Sequence, residues 1–125
     1  MVAAITHKEG RKMDLTFTEY MRERFRIKGV SQRILFQQTG ISERYGYKLI
    51  SGEKHTSNRD IIVKLCIGAG FGVAETDHAL MLYGMSPLRP FSGRDGIISQ
   101  AIMTGLNDVY EVSEMLSAAG YGGLE

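Results

Sequence analysis

The sequence has one cysteine, two prolines and no tryptophan, and its apolar residues never form a long uninterrupted run. Cys66, the single cysteine, has no partner for an internal disulfide, which favours a reducing compartment. A membrane-spanning helix needs roughly 18 apolar residues in succession, and Met1–Ile5 is too short for the apolar core of a secretory signal. These absences predict a cytoplasmic protein with no membrane partner.

Residues that form catalytic or metal sites in other proteins do not occur here at the required spacings. His7, His55 and His78 share no metal-ligand spacing with Cys66 or with one another. The glycines at positions 68, 70 and 72 match no phosphate-binding or dinucleotide-binding motif, because no predicted strand precedes them. We therefore expect no catalytic residue, no metal, no cofactor and no enzymatic activity.

Methionine is frequent for a chain of this length, with seven residues. Its flexible thioether fills gaps in hydrophobic cores, and it also forms adaptable binding surfaces. Core filling is the commoner use, so we expect it for Met81, Met85, Met103 and Met115, with a binding surface as the alternative.

The net charge of +1 conceals an uneven distribution along the chain. Residues 1–54 contain eleven lysines or arginines against six acidic residues, whereas residues 55–125 contain four against eight. Chance clustering can produce such a difference in a short chain. A basic first half is nevertheless typical of a protein that binds a polyanion at one end only.

Apolar residues recur at helical spacing, and no segment alternates as a half-buried strand does, so we predict an all-α protein. Serine or asparagine precedes several of the apolar stretches and glycine follows most of them, as is usual at helix ends. The five predicted helices of the first part are Phe17–Lys28, a second from Ser31 to Gly40, a third over about Glu43–Ile50, a fourth from about Arg59 to Gly70, and Val73–Tyr83.

The remaining segment repeats the fourth and fifth predicted helices. A shift of 36 positions superimposes seven identical residues, and an Arg-Asp pair precedes each copy, at Arg59-Asp60 and Arg94-Asp95. The repeat predicts a second helical hairpin, with helices Asp95–Thr104 and Asp108–Ala119, although two amphipathic helix pairs can also match by chance. We expect a flexible tail over residues 1–13, a five-helix domain over 14–84, and over 85–125 a hairpin packed on helices 4 and 5.

The stretch Val30–Lys54 carries the most specific pattern in the chain. Two short helices joined by a turn at Thr39-Gly40-Ile41 are what a helix-turn-helix unit requires. Together with Ser31-Gln32, Leu35, the turn Gly40-Ile41-Ser42, Leu49 and Ser51-Gly52-Glu53-Lys54, the stretch resembles the lambda-repressor-like, or xenobiotic-response-element, helix-turn-helix family of bacteria. The resemblance covers about residues 16–83 and implies a five-helix domain that places its third helix in the DNA major groove.

At two positions the chain departs from this family. Phe36 stands where the family has a small residue, and Gly46 stands where it has a branched aliphatic residue. We expect these two residues to face each other across the contact between the second and third helices, with the combined volume conserved.

The resemblance also indicates the residues that contact DNA. By correspondence with the family, Glu43, Arg44 and Lys48 occupy the base-reading positions, and Gln32 contacts a phosphate. Ser31 and Ser42 cap helices whose amino ends suit phosphate oxygens. The remaining candidates for contact with the DNA backbone are Arg33, Tyr47 and Lys54.

We therefore expect a sequence-specific regulator of transcription that binds double-stranded DNA as a homodimer, because specific recognition usually requires two half-sites. The C-terminal hairpin is a candidate for dimerisation, for a protein partner or for an effector. Two alternatives remain open. One is an interaction adaptor that has the fold but does not read DNA, and the other is a repressor with a small-molecule pocket between the hairpins.

Overall fold

The structure is a computed structural model that describes residues 15–124, and over that range it contains seven α-helices and no β-strand. The predicted all-α class is confirmed, while the predicted tail at residues 1–13 lies outside the described residues. The helices are α1 (Phe17–Lys28), α2 (Gln32–Thr39), α3 (Glu43–Ser51), α4 (Arg59–Gly68), α5 (Val73–Leu82), α6 (Gly93–Met103) and α7 (Val109–Ala118).

Side-chain caps fix where the first helices begin. The Oγ of Ser31 accepts a hydrogen bond from the Ile34 N–H at 3.4 Å, and the Oγ of Ser42 accepts one from the Tyr45 N–H at 3.3 Å. These caps satisfy amide groups that have no partner within the helix. The two predicted serine caps are therefore confirmed.

One helix begins earlier than its sequence predicts. The N–H of Gly96 donates to the carbonyl of Ser92 at 3.0 Å. This hydrogen bond makes residues 93 and 94 part of the first turn of the helix. As a result α6 starts at Gly93 rather than at Asp95.

A continuous hydrophobic core joins all seven helices, with buried members from Phe17 in α1 to Leu116 in α7. Cys66 is fully buried in it as a free thiol, and burial raises the pKa of that thiol. The expectation that methionine fills the core was wrong for Met81, Met103 and Met115, which are exposed. Met103 and Met115 lie on the outer side of the second hairpin, which α1 and α2 do not cover.

The corner between α2 and α3 is formed by Gly40, whose φ of 74° lies in the left-handed region that favours glycine. A Cβ atom at this position would lie 2.9 Å from the hydroxyl oxygen of Tyr110, at the start of α7. The second hairpin thus contacts the turn that leads into α3. No feature of the sequence indicated this contact.

Gly46 is buried in α3 against the fully buried ring of Phe36 in α2. A Cβ atom on Gly46 would lie 2.5 Å from two carbon atoms of that ring, closer than real Cβ atoms come to their neighbours. The predicted pairing of a large residue with a glycine is confirmed. The ring therefore packs directly on the backbone of α3.

The hairpins α4–α5 and α6–α7 are joined by two reciprocal ion pairs. The guanidinium of Arg59 donates to both carboxylate oxygens of Asp95 at 2.9 and 3.0 Å. The guanidinium of Arg94 donates to both carboxylate oxygens of Asp60 at 2.9 and 2.7 Å. Because each arginine binds the aspartate of the other hairpin, the two hairpins are related by an approximate two-fold axis. Consistently, α4 contacts α7 and α5 contacts α6.

The equivalence of the hairpins extends to their backbone contacts. Arg59 also donates to the carbonyl oxygens of Ser86 and Pro87, and Arg94, 35 positions later, donates to those of Gly122 and Gly123, which are 36 positions later. The Leu88 N–H donates to Asp77 at 2.8 Å, and the Leu124 N–H donates to Ser113 at 3.0 Å, again at a shift of 36. The internal repeat in the sequence is therefore a repeat in structure.

We predict that the effect of Gly46→Ala on stability reverses sign when the ring of Phe36 is removed. In the wild-type background the new methyl group overlaps the ring, and the free energy of unfolding should fall by about 1–2 kcal/mol despite better helix propensity. In a Phe36→Ala background the space is open, and Gly46→Ala should stabilise by up to about 1 kcal/mol. Urea unfolding of the four proteins gives the coupling energy.

Gly122→Ala is the matched control, since nothing lies within 4 Å of a Cβ atom there. It should change the free energy of unfolding by less than about 0.5 kcal/mol in either background. The same sign for Gly46→Ala in both backgrounds would contradict the packing described for Phe36.

We also predict that Asp95 stabilises the fold in a pH-dependent way. Burial acts to raise the pKa of Asp95, but hydrogen bonds from the Arg59 side chain and the Arg89 backbone, with the charges of Arg59 and Arg94, outweigh burial and lower it. A lowered folded-state pKa gives stability that is complete above the ordinary value of about 3.9 and is lost as pH falls through the folded value. Asp95→Asn should therefore cost about 2 kcal/mol at pH 7.

The deficit of Asp95→Asn should shrink as the pH falls below about 4, which thermal unfolding across the acid range measures. Glu114→Gln, at an exposed carboxylate of α7, should show no such pH-dependent deficit. A deficit for Asp95→Asn that is independent of pH would mean that the charge of Asp95 contributes nothing.

Candidate nucleic-acid interface

Helix α3 has one buried face and one open face. Gly46, Leu49 and Ile50 are buried, whereas Glu43 and Arg44 are exposed on the opposite side. Since a helix has 3.6 residues per turn, the two faces follow directly from these positions. The residues assigned to base reading therefore lie where a ligand can reach them, with Lys48 partly covered.

A shallow groove beside α3 is lined mainly by basic and hydroxyl-bearing residues. Its lining comprises Ser42, Arg44, Tyr45, Lys48 and Lys54. The backbone N–H of Lys54 donates to the carbonyl of Lys48 at 3.1 Å, which holds the chain after α3 against its last turn. Three cationic side chains thus line one groove, an arrangement that attracts an anion.

Two weak ion pairs involve predicted site residues. The Nε of Arg33 lies 3.9 Å from Glu43, which links α2 to the start of α3, and the Nζ of Lys48 lies 3.9 Å from Glu53. Surface pairs at this distance contribute little to stability and are readily exchanged for other partners. The cations of this face therefore remain available to a polyanion.

Tyr47 lies on the exposed side of α3, and its ring packs against the buried ring of Phe36. The rings of Tyr47 and Phe36 are 5.0 Å apart between centroids and nearly perpendicular, at 85°. This edge-to-face contact limits the positions that the Tyr47 ring can take.

The amino ends of α2 and α3 provide the other anion-binding groups. The first backbone N–H groups of a helix have no intrahelical acceptor, and the helix dipole adds partial positive charge there. Ser31 and Gln32 lie at the start of α2, where Ser31 is exposed and Gln32 is partly buried. Ser42 has the corresponding position at the start of α3.

The structure therefore brings Ser42, Arg44, Lys48 and Lys54 together in one groove. Ser31, Gln32 and Arg33 lie at the amino end of α2, which the Arg33–Glu43 pair links to the start of α3. Two residues of this region were not among the predicted site residues. One is Tyr45, which lines the groove, and the other is Glu53, which contacts Lys48. In the sequence, Tyr45 is marked only by lying next to predicted residues, whereas Glu53 belongs to the Ser51-Gly52-Glu53-Lys54 element of the resemblance.

A second hollow lies where α2 meets the loop before α7. It has a volume of about 260 Å³ and is lined by Gln38, Asn107, Asp108 and Tyr110. The sequence-based hypothesis of an effector pocket located that pocket between the two hairpins. This hollow instead adjoins the helix that precedes the Gly40 corner.

Within residues 15–124, no group of three or more histidine, cysteine or acidic side chains is placed to hold a metal ion. Over the same range, none of the helices combines the length and apolar character needed to cross a membrane.

No protein-family model matches this chain, and neither a curated protein nor a solved structure is similar enough to it to count as a match.

Proposed function

We propose that this protein is a sequence-specific, DNA-binding regulator of transcription of the lambda-repressor-like helix-turn-helix type. The observation that carries the proposal is the open face of α3, where Arg44 and Lys48 line a basic groove above a buried contact with α2. A helix presented in this way fits the major groove of DNA, which is wide enough to admit an α-helix.

In this proposal the base-reading residues act through hydrogen bonds to base edges. Arg44 or Lys48 donates to O6 and N7 of guanine, and Glu43 accepts from N4 of cytosine. Because the surface pair between Glu43 and Arg33 is weak, both side chains can exchange it for contacts with DNA. Each well-formed base contact discriminates by about 1–3 kcal/mol.

The remaining site residues position the protein on the DNA backbone. Lys54 and Arg33 bind phosphates through charge, Tyr47 through its hydroxyl, and Gln32 through its side-chain amide. The amino ends of α2 and α3, capped by serines 31 and 42, supply backbone N–H donors. A single unit makes few such contacts, so we propose that the protein binds two half-sites as a homodimer.

We predict that DNA affinity falls steeply with salt, because each phosphate contact releases condensed cations from the DNA. The measurement uses fluorescence anisotropy with duplexes selected from a random pool, titrated from low to physiological salt. Lys54→Ala should weaken binding to all sequences and lower the salt slope by about 1 for each subunit bound. An affinity that does not change with salt would contradict the proposal.

Arg44→Ala should act differently from Lys54→Ala, because it removes a base contact. We expect a loss of about 1–3 kcal/mol for the selected duplex, little change for unrelated duplexes, and relaxed preference at one base position per half-site. Arg89→Ala, an exposed arginine outside α2 and α3, is the control for loss of one positive charge. If Arg44→Ala and Arg89→Ala have equal effects, then α3 does not read sequence.

The alternative is an adaptor that has this fold and binds proteins instead of DNA. The exposed methionines of the second hairpin favour a protein-binding surface in this chain. Such a surface is compatible with DNA binding. If the protein bound no duplex with an affinity that depends on salt, only the adaptor function would explain the result.

A further inference from the structure

The outer face of the second hairpin corresponds to a face that is covered in the first. Under the shift of 36, Ile67 in α4 corresponds to Met103 in α6, and Ala79 in α5 corresponds to Met115 in α7. Ile67 is 1% exposed and Ala79 is 0% exposed, whereas Met103 is 70% exposed and Met115 is 38% exposed. The positions are equivalent, but only those of the first hairpin are buried.

Helices α1 and α2 cover the face of the first hairpin. Arg24 and Lys28, four residues apart on α1, bind Glu75 of α5 at 2.6 and 3.1 Å. Helix α2 packs on α4, where a Cβ atom on Gly68 would lie 2.6 Å from Thr39. The first hairpin thus holds an amphipathic helix through apolar contacts and through a carboxylate that binds two basic side chains.

The second hairpin retains the acidic part of this arrangement. Glu111 of α7 corresponds to Glu75, is exposed, and forms no ion pair within residues 15–124. From Asp95 to Leu124 the chain has four acidic residues and no lysine, arginine or histidine. Any partner that binds here therefore meets negative charge alone on α6 and α7 beyond Arg94.

A groove runs along this face. It has a volume of about 340 Å³, and its lining includes Phe91, Ile97, Gln100 and Met115. The Phe91 side chain is 98% exposed at its edge, and Met103 lies three residues beyond Gln100 on α6. Flexible methionines and an exposed aromatic ring are features of surfaces that bind apolar side chains of differing shapes.

We propose that this face, defined by Phe91, Met103, Glu111, Glu114 and Met115, binds an amphipathic helix of a partner protein, with lysine or arginine flanking its apolar stripe. The occupant is a single helix because α1, which places two basic side chains on Glu75, is the corresponding element on the first hairpin. The proposal does not depend on DNA binding.

A second copy of this chain is the poorer occupant. A symmetric dimer through this face would bring two acidic faces together, each carrying Glu111 and Glu114. Like charges in such contact oppose association, whereas a basic helix converts the same carboxylates into favourable contacts. Charge complementarity therefore selects a partner of opposite sign.

The probe for this proposal is a synthetic amphipathic helix of leucine and lysine, about four turns long, with a fluorescent label. Anisotropy measures its affinity for the full-length protein, and NMR of labelled methionine methyl groups locates the binding site. We expect binding with shifts of the Met103 and Met115 methyl signals and no shift of Met81, which lies on α5 of the first hairpin. A control peptide with glutamate in place of lysine should not bind.

The variants separate the apolar contribution from the electrostatic one. Met103→Ser with Met115→Ser should weaken binding by roughly tenfold or more, and Met81→Ser, at a methionine that is also exposed, should not. Glu111→Gln and Glu114→Gln should each weaken it by about two- to fivefold, and Glu23→Gln on α1 should leave it unchanged. Arg44→Ala should leave peptide binding intact, which separates this proposal from DNA binding.

Two results would overturn the proposal. In the first, the double serine variant binds the peptide as tightly as the wild type does. In the second, sedimentation shows that the wild-type protein self-associates and that Met103→Ser with Met115→Ser makes it monomeric, in which case a second copy occupies the face.

Discussion

The position of α3 depends on the contact between the ring of Phe36 and the backbone of Gly46. A side chain on residue 46 would keep the two helices apart, whereas a glycine lets a large aromatic ring occupy that volume. The same ring also packs against the ring of Tyr47. One buried residue of α2 therefore contacts the inner face of α3 and one side chain of its outer face. The open face with Arg44 and Lys48 is the other side of this packing.

The second hairpin participates in this arrangement, because Tyr110 lies against Gly40 at the corner between α2 and α3. The hydrophobic core is likewise continuous from α1 to α7. The basic groove and the acidic outer face therefore belong to one packed structure that carries opposite charge on two different surfaces.

Features that depend on residues close together in the sequence were predictable. The serine caps and the helix type follow from local spacing, whereas the pairing of Phe36 with Gly46 was implied by the family resemblance. The exchange of partners between Arg59 and Asp95 did not follow, because a repeat identifies equivalent residues but not which copies they contact. The exposure of Met103 was also unpredictable, since it depends on which hairpin α1 and α2 cover.

The reciprocal ion pairs have a consequence for how the second half of the chain unfolds. If the hairpins separate, Asp60 and Asp95 lose their guanidinium partners together, and partly buried carboxylates without a partner are costly. Neither hairpin can open while the other keeps its full set of contacts. The two ion pairs therefore couple the opening of α4–α5 to the opening of α6–α7.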